Sequence, residues 1–134
     1  PATSSTASNA RIDGNYNSTT DTDESRIMWS HLRYAGFIGG NPTSLLQPTN
    51  AVGGTVGLQW NALGLGGHAI CSGGLSGKIA AAVDSQVDDG LPNSGTVRAV
   101  IQAGNGDVGS TTPSNSPNSY AEDGSQLYTI CKQL

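Results

Sequence analysis

Three aspartates close together in the sequence are the residues that could most readily do chemistry. Asp84, Asp88 and Asp89 fall within about one and a half helical turns, and Asn93 follows them. Clustered carboxylate and amide oxygens are the ligands that calcium prefers. The order departs from an EF-hand loop, because Gln86 occupies the third place and no glutamate closes the loop. The cluster therefore predicts turn carboxylates, with a calcium site at the three aspartates as the alternative and no other cofactor.

A second kind of chemistry would pair a cysteine nucleophile with a histidine base. His68 precedes Cys71 by three positions in a predicted strand, and side chains at that spacing point to opposite faces. The sequence also has no GxSxG, HExxH or phosphate-binding GxxxxGK[ST] pattern. We therefore expect no catalytic residue, and we interpret His31 and His68 as structural.

The two cysteines, Cys71 and Cys131, are far apart in the sequence and belong to no metal-binding pattern. They are either two buried thiols or a disulfide. Few charges and many hydroxyl groups are typical of a protein exported to an oxidising compartment, which favours the disulfide. Closing so long a loop would stabilise the fold by about 4 kcal/mol in a chain-entropy treatment.

Composition limits the organisation and the partners of the chain. The 134 residues suffice for one hydrophobic core. Only 12% of them are charged and the net charge is -4, which argues against nucleic acid or an anionic membrane as a partner. No apolar run approaches the roughly 20 residues that span a bilayer. We predict a flexible polar lead-in over residues 1–20 and one globular domain over residues 21–134.

Apolar periodicity and turn residues predict two helices and four strands. The predicted helices cover residues 21–35 and 76–89, and the predicted strands cover residues 51–60, 68–71, 96–103 and 126–134. In the second helix Ile79, Val83 and Val87 form one apolar face. This order predicts an α+β domain with a short antiparallel sheet and two short helices.

The stretch DDGLPNSG follows the second helix, and its two carboxylates lie where a helix dipole disfavours negative charge. Gly90 ends the helix and Pro92 prevents it from restarting. Asp88 and Asp89 are expected to accept bonds from backbone N–H groups further along the chain. With Gly95 they predict a turn clamp that directs the chain into the strand over residues 96–103.

Three segments in a fixed order resemble a known family. ESRIMWSHLRYAGFIGG, PTNAVGGTVGLQW and KIAAAVDSQVDDGLPNSGTVRA are similar to the globular part of type IV pilin-like proteins, which are made with a prepilin-type N-terminal cleavage and methylation segment. The match covers residues 24–103, and the DDG segment is its most specific part. The resemblance implies a pilin-like head in a bacterial type IV pilus or secretion pseudopilus, outside the cell or in the periplasm, from a precursor anchored in the inner membrane.

The resemblance also implies partners. They are other pilin subunits in a homo- or heteropolymeric filament and a long N-terminal helix, in cis or in trans, that packs on the sheet of the head. This sequence lacks that helix and predicts no membrane span of its own. Either the head was separated from its helix, or it is a polypeptide that docks on a small helix-only pilin.

An alternative function is an adhesive or carbohydrate-binding tip module. The turn-rich stretch over residues 104–125 would be the binding loop, with Tyr120 as an apolar platform. Asn17 begins an Asn-Ser-Thr pattern for glycosylation, a match that is frequent by chance in sequences rich in these residues.

Overall fold

The computed structural model describes residues 9–104, 106–110 and 117–134. The elements in chain order are α1 (Glu24–Tyr34), β1 (Val56–Trp60), a 3-10 turn (Ala62–Gly64), β2 (His68–Ser76), α2 (Gly77–Val87), β3 (Val97–Ile101) and β4 (Leu127–Gln133). This confirms the predicted α+β class with two helices and a short antiparallel sheet.

The four strands form one antiparallel sheet in the order β1-β2-β4-β3. β2 and β4 lie in the centre, although α2 and β3 separate them in the sequence. Cys71 and Cys131 stand directly opposite each other in this pairing, with Cα atoms 4.1 Å apart, and form the predicted disulfide. The bond therefore joins the two central strands.

One face of the sheet, which we call the closed face, is covered by the residues before α1 and by the segment around the 3-10 turn. The buried cluster on it comprises Tyr16, Ala62, Leu63, Leu65, Ala69, Cys71, Val108 and Cys131. The disulfide lies in the middle of this cluster, so it is shielded from solvent along with the surrounding side chains.

The opposite face, which we call the open face, is covered by α2 over β3 and β4. The buried cluster there comprises Leu75, Ala80, Val97, Ala99, Tyr128 and Ile130. Gly77 at the start of α2 allows a close approach of the segment before β4, because a Cβ atom there would lie 1.8 Å from the carbonyl oxygen of Ala121. The start of α2 therefore packs against that segment.

The apolar face predicted for the second helix does not point into the core. Ile79, Val83 and Val87 are 40%, 39% and 47% exposed, whereas Ala80 and Asp84 are fully buried. The predicted apolar stripe exists, but α2 buries Ala80 and Asp84 against the sheet, so the stripe faces outward.

The lead-in predicted for residues 1–20 differs in the part that the structure describes. Residues 9–20 lie on the fold, and Tyr16 is only 2% exposed in the cluster of the closed face. Its N–H donates to Gln59 Oε1 at 3.0 Å, and its hydroxyl donates to the Gly106 carbonyl at 3.1 Å. Tyr16 therefore attaches residues 9–20 to the fold, although their polar composition predicted a flexible segment. Residues 1–8 lie outside the described residues.

α1 begins three residues later than the helix predicted over residues 21–35. The helix begins at Glu24, and the Asp23 side chain makes no capping bond. Glu24 Oε2 accepts instead from the N–H of Asp13 at 3.0 Å, and Asp21 pairs with Arg26. The glutamate thus holds the segment before α1 rather than the helix end.

Replacing Tyr16 by alanine should lower the free energy of unfolding by about 3–5 kcal/mol, because it empties a buried aromatic site. Tyr34→Ala is the matched control, since Tyr34 is 55% exposed and its loss should cost under about 0.5 kcal/mol. Urea denaturation with the disulfide intact measures both. Equal losses in the two variants would contradict the packing of the lead-in.

Candidate functional site

Asp88 closes the turn between α2 and β3. Its Oδ2 accepts from the N–H of Thr96 at 2.7 Å and from the N–H of Val97 at 3.1 Å. The N–H of Ala99 donates to the Pro92 carbonyl at 2.8 Å. Val97 and Ala99 alternate with residues that bond to β4, so these donors lie on the outer edge of the sheet. The turn thereby covers an edge that could otherwise pair with a foreign strand.

Asp89 holds the turn from its exposed side. Its Oδ1 accepts from the N–H of Leu91 at 2.9 Å, and its Oδ2 accepts from the Ser94 hydroxyl at 2.6 Å. The bond from Ser94, followed by the bond from Leu91, lowers the pKa of Asp89. Both carboxylates of the predicted clamp thus bind donors within the turn or at the start of β3.

Gly95 completes the clamp for a steric reason. Its φ is +77°, and a Cβ atom there would lie 1.8 Å from Asp88 Oδ2. The carboxylate occupies the space that any other side chain would need. Gly90 ends α2 with a φ of +77°, and Pro92 is buried beneath the turn.

Asp84 is fully buried on the sheet side of α2, whereas the sequence predicted a turn carboxylate with calcium binding as the alternative. Its Oδ2 accepts from the Tyr120 hydroxyl at 2.6 Å, and its Oδ1 accepts from the N–H of Gly90 at 3.0 Å. Burial raises the pKa of Asp84, and the two bonds offset part of that rise. Asp84 therefore connects α2 to its own terminal turn and to the segment before β4.

The three aspartates do come together, with one oxygen of each within 4.8 Å of the others. Most of these oxygens already accept the bonds described above, so a cation would compete with backbone and hydroxyl donors. The hydrogen bonds explain the cluster without an ion. Calcium binding by Asp84, Asp88 and Asp89 stays a prediction for titration.

The residues considered for nucleophilic catalysis have other partners. Cys71 is bonded to Cys131. His68 Nε2 accepts from the N–H of Ile12 at 2.9 Å, and the imidazole meets the Trp60 ring edge-on at 4.9 Å. His68 therefore fixes the lead-in beside the end of β1.

Tyr120, the proposed platform of an adhesive loop, is directed inward. Its hydroxyl bonds to Asp84, and its ring packs edge-on against Tyr128 at 5.2 Å. Burial, and then the bond to Asp84, raises the pKa of Tyr120. Residues 105 and 111–116 of the predicted loop lie outside the described residues. Asn17, the glycosylation candidate, is half-buried beside Tyr16.

An apolar depression lies on the open face where α2 leaves the sheet uncovered, and we call it the open groove. Its volume is about 260 Å³. The residues that matter for its chemistry are Val56, Ile70, Val83, Val87, Ile130 and Lys132. Val83 and Val87 form a wall on α2, while Ile70 and Val56 form the floor on β2 and β1. The outward stripe of α2 thus continues directly into the bare half of the sheet.

The sequence did not locate this groove. Ile70 is 37% exposed in its centre, close to the values for the two valines of the wall. The strand over residues 51–60 and the apolar stripe of α2 were both predicted from the sequence, but no feature of the sequence placed them side by side. No helix among the described residues is both long and apolar enough to cross a bilayer.

Replacing Gly95 by alanine should destabilise the protein by several kcal/mol, because strain at positive φ adds to a collision with Asp88. Gly124→Ala is the matched control, since Gly124 has a φ of +79° with nothing within 4 Å of the added Cβ. Its cost should be about 1–2 kcal/mol. Thermal unfolding compares the two variants, and equal costs would contradict the clamp.

Calcium titration of the wild type, Asp88→Asn and Asp89→Asn separately tests whether the three aspartates bind the ion.

The buried Asp84 should give a specific pH dependence. Its pKa is raised above the ordinary value of 3.8, so its contribution is fully present below that pH and is lost as the pH rises through the folded-state pKa. The stability advantage of the wild type over Asp84→Asn should therefore fall as the pH rises above 3.8.

Asp89→Asn is the control of opposite sign, since the pKa of Asp89 is lowered from 3.8 and its contribution is lost as the pH falls. Urea denaturation across a pH series measures both differences. A constant difference between wild type and Asp84→Asn would refute the assigned role of burial.

Comparison with protein-family models, with curated proteins and with solved structures gives no match for this chain. Its function is therefore inferred from its own residues and their geometry.

Proposed function

We propose that the chain is a structural subunit, or the globular head of one, in a type IV pilus or secretion pseudopilus. In this role it has no catalytic activity, and its partners are other subunits and an N-terminal pilin helix supplied in cis or in trans. The open groove is the observation that carries the proposal. It offers an apolar seat for a helix on the face of the sheet that α2 leaves half-covered.

The geometry of the groove supports a helix as the occupant. A flat strand partner would need free edge donors, but the groove lies on the face of the sheet and presents side chains. A helix places residues i, i+3, i+4 and i+7 on one side, which suits the trough between a sheet and the α2 wall. Such a helix would lie beside α2 and complete the layer over β1 and β2.

The exposure of apolar side chains in the groove supports a permanent binding partner. Ile70, Val83 and Val87 are each more than one third exposed and lie together. A contiguous apolar patch on a protein surface indicates a contact site. The low charge of the chain and the buried disulfide suit a subunit that works outside the cytoplasm.

Val83→Glu should prevent the chain from entering filaments, because the helix would have to bury an unpaired carboxylate. Ile79→Glu is the matched control: both residues lie on α2 and are 39% and 40% exposed, but only Val83 lines the groove. The measurement is the amount of chain in sheared filaments from the organism that makes it. We expect a loss of about tenfold or more for Val83→Glu and little change for Ile79→Glu.

Both variants should retain the wild-type far-ultraviolet circular dichroism and their disulfide, which separates docking from folding. Normal incorporation of Val83→Glu, or filaments that assemble fully in a strain without the chain, would overturn the proposal.

A further inference from the structure

A polar cleft lies between the lead-in and the end of β1, and we call it the edge cleft. Its volume is about 330 Å³, within the range of pockets that hold small molecules. Arg11, Asp13 and Asn15 lie on the lead-in side, and Trp60 and Asn61 lie on the β1 side. None of these residues lines the open groove, so the edge cleft is separate from the surface proposed for helix docking.

Hydrogen bonds hold both sides of the edge cleft in place. Asp13 Oδ1 accepts from Arg11 Nε at 2.7 Å, and the N–H of Asp13 donates to Glu24 Oε2 at 3.0 Å. On the other side, Asn61 Oδ1 accepts from the N–H of Gly67 at 3.1 Å, which supports Asn61 at a φ of +53°. A cleft that is already formed loses little conformational entropy when it binds a ligand.

Several polar groups of the edge cleft have no hydrogen-bond partner among the residues that the structure describes. Odd-numbered residues of β1 bond to β2, as the bond from the N–H of Asn61 to the Gly67 carbonyl shows. The N–H and the carbonyl of Trp60 therefore point away from β2 and are unpaired there. The terminal nitrogens of Arg11, the side-chain amide of Asn15 and Nδ2 of Asn61 add further donors and one acceptor.

The charge of the edge cleft and its aromatic residue indicate the class of ligand. Arg11 and Asp13 form an ion pair, so together they favour neither an anion nor a cation. Donors and acceptors side by side match hydroxyl groups, because each hydroxyl both donates and accepts. The Trp60 indole adds an aromatic surface against which the C–H groups of a sugar ring can pack.

We infer that the edge cleft binds one neutral sugar unit. Its hydroxyl groups bond to the Trp60 backbone and to the amides of Asn15 and Asn61, and its ring packs against the indole. The inference assigns the chain a second surface with a recognition role. Because it uses none of the groove residues, its test is independent of the proposed assembly into filaments.

The experiment titrates the 134-residue chain with glucose, galactose and N-acetylglucosamine and follows its proton–nitrogen NMR spectrum. The chain has two tryptophans and so gives two indole signals, which Trp60→Phe assigns. At least one of the sugars should shift the indole and backbone signals of Trp60 with a Kd of about 1–10 mM. The indole signal of Trp29, which is buried in α1 and does not line the cleft, should stay in place.

Asn15→Phe should weaken this binding at least tenfold, because the ring fills the cleft from an exposed position. Thr19→Phe is the matched control, since Thr19 is also exposed in the lead-in but does not line the cleft, and it should bind like the wild type. Unchanged signals from β2 and β4 report an intact fold in both variants.

Glucuronate and glucosamine serve as the charged probes and should bind no more tightly than glucose. Tighter binding of either one would refute the neutral class of ligand. The absence of saturable shifts with all three neutral sugars, or an equal loss of binding in Asn15→Phe and Thr19→Phe, would overturn the site itself.

Discussion

The pairing of β2 with β4 supports both packed layers of the protein. Side chains alternate along each strand, so the same two strands supply Cys71 and Cys131 to the closed face and Leu75 and Ile130 to the open face. The disulfide lies within this pairing and closes a separation of 60 residues. Because that closure restricts the unfolded chain, it favours the one arrangement in which both faces can be covered.

The two faces are covered unequally, and the difference creates the groove. The closed face receives Tyr16 and the segment around the 3-10 turn, which together bury it. The open face receives α2 and the ring of Tyr120, which pack over the cluster that includes Val97, Tyr128 and Ile130. The groove lies beside α2, over Val56 of β1 and Ile70 of β2.

The carboxylates at the end of α2 hold this geometry in place. Asp88 binds the start of β3, while Asp84 binds Tyr120 from the segment that leads into β4. These bonds connect α2 to both strands beneath it and so fix the wall of the groove. Residues that first suggested metal binding thus hold α2 and its terminal turn in position, and the groove beside them is apolar.

The sequence by itself determined the α+β class, the two helices, the disulfide and the turn that follows α2, because periodicity, cysteine context and turn residues are local signals. Only the tertiary structure decided which side of α2 is buried, that Tyr16 anchors the lead-in, and that Asp84 is an interior acceptor. Each of these depends on contacts between segments that are distant along the chain. Val83 and Ile70 illustrate the limit: each is apolar in its own pattern, but they line one groove only because α2 packs on the sheet through Ala80 and leaves Val83 facing outward.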